Sequence, residues 1–419
     1  MANKNSIVIV GAGMAGTRAA ETLRERGFDD RIFLVGDEAR LPYERPPLSK
    51  EALVGSMPVE ETNLRAWDDW MDIAVHLVLD NPLVSLDTAA GQVVLADGLR
   101  IHARKVLLAT GGVPLRLDVA GAHLSGIHYL RTVDDTEALG DRLRRGRLRV
   151  AVVGGGFLSV EVAAVAAGLG NEVTWLCRSQ HPLTGMVGGT AAAALVERYP
   201  LDALTIRRGV SVVGFDGAEG RLTDVRLDDG STVPADVVLV AIGQRPALGF
   251  LDGLPVRNGV EVDHRLETAI PNVFAAGDIA NFEDPFVGGR TRHGTWLNAQ
   301  NQGIHAAGAM LGDPAPFRSV PWHWSDHFGM NVQVAGRVDE TARLVARTGR
   351  GDATTYFHLD GDRLVGAVGI DASRDVRGAM LLMAADARVT AEELADPGVD
   401  LRRLAAETSG APEAPEVRA

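Results

Sequence analysis

The stretch IVIVGAGMAG at residues 7–16 constrains this chain more than any other. Four apolar, mostly β-branched residues run into Gly11-x-Gly13-x-x-Gly16, and residues 14–26 then read as a helix. A buried strand feeding a glycine turn that opens a helix is the geometry of a dinucleotide pyrophosphate site. Gly11 permits the tight turn, Gly13 lets the backbone approach the phosphates, and Gly16 lets helix and strand pack closely. The helix N-terminus adds free N–H groups and the positive end of its dipole. A second strand at 31–35 follows, and Asp37 stands about 20 residues beyond the turn, where a ribose-binding acid belongs.

The pattern recurs about 140 residues later. An apolar strand at 149–153 leads into GGGFLSVEVAAVAAGLG and a strand at 172–176. Gly154 and Gly156 fill the first two glycine positions, and Ser159 stands at the third, small enough for close packing. Two such units imply two nucleotides, one per domain.

Composition sets the limits around these sites. The chain has 419 residues, enough for two or three domains. No apolar run approaches membrane-spanning length. MANKNSIVIV enters the first strand without signal-peptide anatomy, so a soluble cytoplasmic protein is expected. A net charge of −13 argues against general nucleic-acid binding. The one cysteine, Cys177, excludes an internal disulfide, a CxxC redox pair and a Cys-ligated iron–sulfur cluster.

Between the two units, ARLPYERPPLSKEAL reads as a proline-shaped loop ending near a buried Lys50. Short strands are expected at 73–78, 83–87, 91–96 and 105–109. The last runs into Thr110-Gly111-Gly112, a second place where backbone can meet a ligand. Residues 114–126 read as a crossing between domains. Strands at 210–215, 222–227, 236–241 and 270–275 and a helix at 297–311 follow. From Pro314 the pattern changes to alternating segments at 330–336, 342–347, 353–359 and 363–369 and a helix over 374–385, an antiparallel α+β domain. Residues 406–419, rich in Ala, Pro and Glu, read as a disordered tail.

Taken in order, GAGMAG, LPYERPPLSK, LLATGGVP, YLRT, GGGFLSVE, AIGQRP, AAGDIA, WLNAQNQG and PWHWSD resemble the FAD-dependent ferredoxin reductases of bacterial oxygenase systems over residues 5–405. The resemblance implies two Rossmann-like nucleotide-binding domains of the glutathione-reductase-like kind plus a C-terminal α+β domain. The FAD-binding domain would be 1–112 and 244–314, the NAD(P)H-binding domain 113–243, and the C-terminal domain 315–405. By resemblance, FAD would lie on Gly11, Gly13, Ala15, Gly16, Asp37, Arg45, Lys50, Leu83, Ala109, Thr110, Gly111, Arg131, Gly277, Asp278 and Trp296. The nicotinamide nucleotide would lie on Gly154, Gly156, Leu158, Glu161, Arg178 and Gly243. Lys50 would sit by the flavin ring, paired with Glu161 where hydride arrives. Asp278 has a plainer reading as a helix cap. The helix near 297 would aim its N-terminus at the flavin and stabilise charge gained on reduction.

The resemblance also implies the electron path. With one cysteine there is no disulfide to receive electrons, so they leave to an external acceptor, an iron–sulfur ferredoxin serving a cytochrome P450 or oxygenase. The chain would act as a monomer or homodimer. Trp322 and Trp324 match the family's aromatic segment near the flavin edge, with interdomain packing as the plainer reading. His323 and His327 have one-turn spacing if helical, though no metal is expected. The basic run Arg142, Arg144, Arg145, Arg147 and Arg149 reads as a solvated helix face or a docking patch for an acidic ferredoxin.

Four departures fall in the second nucleotide site. Ser159 replaces a glycine. Leu176-Cys177-Arg178 offers no carboxylate for an NADH ribose, and Arg178 stands where NADPH-using relatives bind the 2′-phosphate. Gly185 and Gly294 replace the family's usual arginine and glutamate. The donor reading therefore leans to NADPH. The same departures keep two alternatives open: a flavoenzyme acting directly on a small organic substrate, and a non-enzymatic redox-sensed binding module.

Overall fold

The computed structural model describes residues 6–249 and 256–409. Its frame, in chain order, is β1 (Ile7–Val10), α1 (Met14–Glu25), β2 (Ile32–Val35), β3 (Val75–Val78), β4 (Lys105–Leu108), β5 (Arg149–Val153), α2 (Phe157–Gly168), β6 (Glu172–Cys177), β7 (Leu204–Arg208) and β8 (Val237–Val240). It continues with β9 (Val273–Ala275), α3 (Trp296–Met310), β10 (Trp322–His327), β11 (Met330–Gly336), β12 (Arg343–Thr348), β13 (Thr354–Asp360), β14 (Arg363–Ile370) and α4 (Ser373–Ala384). The contacts divide the chain into two compact units. Of the described residues, the first takes those up to Leu115, Arg131–Glu137 and Gln244–Ser319; the second takes Arg116–Leu130, Ala138–Gly243 and those from Val320 to Ser409.

In the first unit β1 is the centre of a parallel sheet, ordered β9-β4-β1-β2-β3. A strand flanked on both edges and covered on both faces must be apolar at every position, and Ile7, Val8, Ile9 and Val10 are all buried. Burying each such side chain stabilises the fold by ~1.5–3 kcal/mol. α1 carries small residues, Ala15, Gly16, Ala19 and Ala20, on its buried side, so α3 can approach closely. The approach is tight: a Cβ on Gly303 of α3 would lie 2.3 Å from the Ala15 carbonyl oxygen. A separate antiparallel sheet, Leu83–Asp87, Gln92–Leu95 and Arg100–His102, packs on the same core.

The second unit repeats the plan. β5 is flanked in parallel by β6 and β8, with β7 and Ile127–His128 at the edges. An antiparallel sheet ordered β10-β11-β14-β13-β12 and the helix α4 complete this unit. The C-terminal segment packs on the 138–243 stretch: Glu340 accepts from the Gly189 N–H at 2.9 Å, and Arg198 pairs with Asp371 at 2.6 Å.

Several expectations need correction. β10 is a strand, so His323 and His327 are not one helical turn apart; four strand residues span about 13 Å. Among the described residues no group of three or more His, Cys, Asp or Glu side chains is placed to hold a metal. Residues 406–409 end the helix Leu401–Ser409 and are not irregular tail, while residues 410–419 lie outside the described residues. The expected strand over 270–275 shortens to β9, because Asn272 takes a left-handed φ of 64°. Among the described residues no helix is long and apolar enough to cross a membrane.

Candidate functional site

The first glycine turn is shaped by contacts that only glycine satisfies. Gly11 has φ +116°, and a Cβ there would lie 2.1 Å from the Ala109 carbonyl oxygen. A Cβ on Gly16 would lie 1.9 Å from the Gly11 carbonyl oxygen, which fixes α1 against the turn. Gly13 faces open space, with nothing within 4 Å of its Cβ position. The Gly11 N–H donates to Val35 at 2.8 Å, and the Ala109 N–H donates to Val10 at 2.7 Å, so the ends of three strands converge here.

A cavity of about 290 Å³ opens over this turn. Of the expected FAD residues, Gly11, Gly13, Ala15, Asp37, Arg45, Ala109, Thr110, Gly111, Arg131, Gly277, Asp278 and Trp296 line it. Gly16 serves it from beneath. Lys50 and Leu83 do not line it. Lys50 is half-buried, between the 3₁₀ turn Pro46–Ser49 and the short helix Glu51–Val54, so it is less enclosed than expected. Leu83 is half-buried on its own sheet, against the first core. Tyr43, Leu48, Ala52 and Val133 form a small apolar cluster that pins the proline loop and delivers Arg45 to the cavity.

The polar wall is a connected network. The Arg131 guanidinium donates to Asp278 at 3.2 Å and to Gln244 at 3.1 Å, and the Gln244 amide donates to Asp278 at 3.1 Å. Asp278 is thus committed to side-chain partners and is not a helix cap. The Tyr43 hydroxyl donates to Glu38 at 2.6 Å, and Arg45 pairs with Glu38 at 3.0 Å. Burial pushes the Tyr43 phenol well above its ordinary range, so it stays a neutral donor. Burial also opposes the Arg45 charge, but the Tyr43 hydroxyl oxygen, which accepts from Arg45 at 3.1 Å, and the Glu38 and Asp278 carboxylates hold Arg45 above its usual value. Burial, with Arg45 nearby, lowers Arg131 despite Asp278. A half-buried cation so disfavoured gains from a further anion, and a dinucleotide phosphate is one. Gly13's open face and this polar wall fit the FAD that the glycine pattern implies.

Glu38, Tyr43 and Gln244 were missed from sequence. Glu38 sits beside Asp37 in an Asp-Glu pair at the strand end, a readable signal. Asp37 itself is exposed on the cavity rim. Gln244 lies within the AIGQRP motif, but its partners lie far away in sequence, so the motif does not give its role.

In the second unit, Gly154 has φ +141°, and its Cβ would lie 2.2 Å from the Ala241 carbonyl oxygen. Gly156 faces open space. Ser159 is fully buried, and its hydroxyl donates to Ala241 at 3.4 Å. This turn therefore accommodates a side chain that the first turn does not. Leu158 is half-buried beside it, Arg178 is exposed just beyond β6, and Gly243 is exposed with φ +114°. Nothing in the structure explains glycine at 185, which faces open space. Glu161 is buried on α2 and accepts from the Ser325 hydroxyl at 2.8 Å. Lys50 belongs to the first unit and Glu161 to the second.

Trp322 and Trp324 stack with centroids 5.0 Å apart, both partly exposed. The basic run is largely engaged: Arg144 pairs with Asp141, Arg149 with Asp236, and Arg142 donates to the Asp236 carbonyl.

Residues 5–303 match the model of the pyridine nucleotide-disulphide oxidoreductases. The chain belongs to that family. Residues 322–405 also match the reductase C-terminal domain. The ferredoxin–NAD(+) reductase component of the p-cumate 2,3-dioxygenase system of Pseudomonas putida is 36% identical over 406 residues, 96% of this chain and 98% of that one. Rhodocoxin reductase of Rhodococcus erythropolis is 35% identical over 401 residues, 95% and 93% of the two chains. Among solved structures, the ferredoxin reductase for the CYP199A2 system of Rhodopseudomonas palustris superposes with a TM-score of 0.91 at 31% identity, over 96% of this chain and all of that one. The covalent putidaredoxin reductase–putidaredoxin complex gives 0.92 at 29% identity, over 98% and 100%. The family's disulphide chemistry does not extend to this member, whose single cysteine cannot pair within the chain.

Proposed function

We propose that this protein carries electrons from NAD(P)H through FAD to an iron–sulfur ferredoxin that serves a cytochrome P450 or oxygenase. The observation that carries the reading is Cys177. It is the one cysteine, buried at the end of β6, and burial pushes its thiol above the ordinary value. It cannot cycle as a disulfide, so electrons must leave for another molecule. When bound, FAD accepts two electrons from a reduced nicotinamide and releases them singly.

The protein's own residues bind, orient and charge-balance. The Gly11–Gly13 turn and the α1 N-terminus hold the FAD pyrophosphate, and Asp37 holds the ribose. Arg131, held by Asp278 and Gln244, meets the anionic part of the cofactor. The α3 N-terminus, opening at Thr295 and Trp296 on the cavity, favours negative charge there. Lys50 and Glu161 support the hydride-transfer step. The second glycine turn takes the nicotinamide dinucleotide, and Arg178 with no nearby strand-end carboxylate favours NADPH. The protein works in the cytoplasm.

Anaerobic addition of NADH and of NADPH should each be followed optically, then a ferredoxin added. Bleaching of the flavin followed by catalytic ferredoxin reduction is expected. A flavin untouched by both nucleotides would sink the reading.

A further inference from the structure

β10 meets α2 with matched spacing. Two strand residues advance about 6.6 Å, and four helix residues rise about 6 Å. His323 therefore meets Phe157, with ring centroids 5.2 Å apart, while Ser325 meets Glu161 one helical turn on. His327 continues the same strand face to Tyr199. Its Nδ1 lies 3.1 Å from Ser325 Oγ, and its Nε2 lies 3.3 Å from the Tyr199 hydroxyl. Trp322, Trp324 and Asp326 alternate onto the other face of β10.

All four groups are buried: Glu161 is 8% exposed, Ser325 0%, His327 3% and Tyr199 5%. With Glu161 ionised and His327 neutral, their chemistry gives the chain one direction. An ionised carboxylate only accepts, so the single Ser325 hydroxyl proton goes to Glu161. Ser325 Oγ must then accept from His327 Nδ1–H. Neutral imidazole carries one proton, which leaves Nε2 to accept from the Tyr199 hydroxyl. Burial pushes the Tyr199 phenol above its ordinary range and keeps it a donor.

We propose that Tyr199, His327 and Ser325 are positioning residues that align donors in series onto Glu161 and fix its carboxylate for hydride transfer. The functional half rests on the reading of Glu161 given above. The geometry half is independent of it.

Two measurements test the proposal. ¹⁵N NMR of histidine-labelled protein, with the His327 signal assigned by its loss in His327→Gln, should show the Nδ1–H tautomer with an unprotonated Nε2. An Nε2–H tautomer overturns the directed chain, whatever the activity. Anaerobic stopped-flow reduction then compares variants. Ser325→Ala and His327→Leu should lower the limiting rate of flavin reduction about ten- to a hundredfold at unchanged nucleotide affinity. His327→Gln, whose amide can donate to Ser325 and accept from Tyr199, should restore the rate to within about threefold. That rescue separates positioning from folding. Glu161→Gln at full rate overturns the role assigned to Glu161. A slow Glu161→Gln beside full-rate Ser325→Ala and His327→Leu overturns the positioning proposal alone.

Discussion

Gln244 occupies the space that a side chain at Gly294 would need: a Cβ on Gly294 would lie 2.5 Å from Gln244 Nε2. The glycine at 294 thus leaves the space that the glutamine at 244 fills. The amide that takes this space also bridges Arg131 and Asp278 on the cavity wall.

Gly294→Ala should therefore push Gln244 aside and loosen Arg131. Because the clash is with the end of a flexible side chain, the cost is modest, about 1 kcal/mol. FAD should dissociate about fivefold faster, while Gln244→Ala/Gly294→Ala should show a coupling energy of about 0.5–1 kcal/mol. Flavin release followed by fluorescence measures both. Additive single-variant effects would show that the two positions are independent.

The two glycine turns should respond in opposite ways to a swap of their third residue. Gly16→Ser places its Cβ against the Gly11 backbone, with no side chain able to yield. The purified protein should carry no flavin absorbance. Ser159→Gly removes one weak hydrogen bond and adds a glycine to the first turn of α2, costing ~1 kcal/mol or less. Its reduction rate with saturating nucleotide should stay within about twofold. A flavin-replete Gly16→Ser protein would contradict the close-packing argument.

The central strands were legible in sequence because parallel strands buried on both faces are apolar without interruption, as β1 and β8 are and as β5 is beyond Arg149. Arg100–His102, β7 and β10 were not. Each sits at a sheet edge and mixes polar with apolar residues. In β10 the spacing of His323 and His327 puts both on one face of either a strand or a helix, so periodicity alone did not decide. The glycine cradle was readable for the same local reason as β1. Gln244 and the Tyr199–His327–Ser325 series were not, because each bond joins residues more than 30 positions apart or depends on a strand that the pattern did not reveal.

Cys177 should be chemically silent. Burial raises its thiol, and the S–H points to the carbonyls of Ser179 and Arg207 at 3.5 and 3.7 Å. Only the thiolate alkylates, so native protein should resist iodoacetamide at neutral pH while denatured protein reacts. Cys177→Ala should keep full ferredoxin reduction. Mass spectrometry and steady-state assay check the two halves, and loss of electron transfer in Cys177→Ala would contradict an external acceptor.

Asp236 ties β8 to β5 through Arg149, with contacts of 2.6 and 3.1 Å from the guanidinium and 2.9 Å from the backbone N–H. The Arg149 side-chain hydrogen bonds lower the carboxyl below its ordinary value, against the opposing effect of burial. A lowered folded-state value gives stability that is present above the unfolded value and lost as pH falls through the folded one. Both groups are partly exposed, so screening leaves about 0.5–1 kcal/mol. Asp236→Asn should unfold at lower urea than the native sequence at pH 7, and the gap should close as pH falls through and below the ordinary aspartate range. A gap unchanged by acid would show that the pair acts through packing.

Arg178, on which the proposed NADPH preference rests, stands exposed just beyond β6, after Leu176 and Cys177. If its guanidinium meets a 2′-phosphate, removing it deletes a charge-assisted bond worth about 1.5–3 kcal/mol. Arg178→Ala should then lower kcat/KM for NADPH at least tenfold and leave NADH within about twofold, since the two donors differ only at that phosphate. Raised salt should weaken NADPH more than NADH in the native protein, because an exposed ion pair is screened. Equal losses with both nucleotides would assign Arg178 to the shape of the turn and return the donor to NADH.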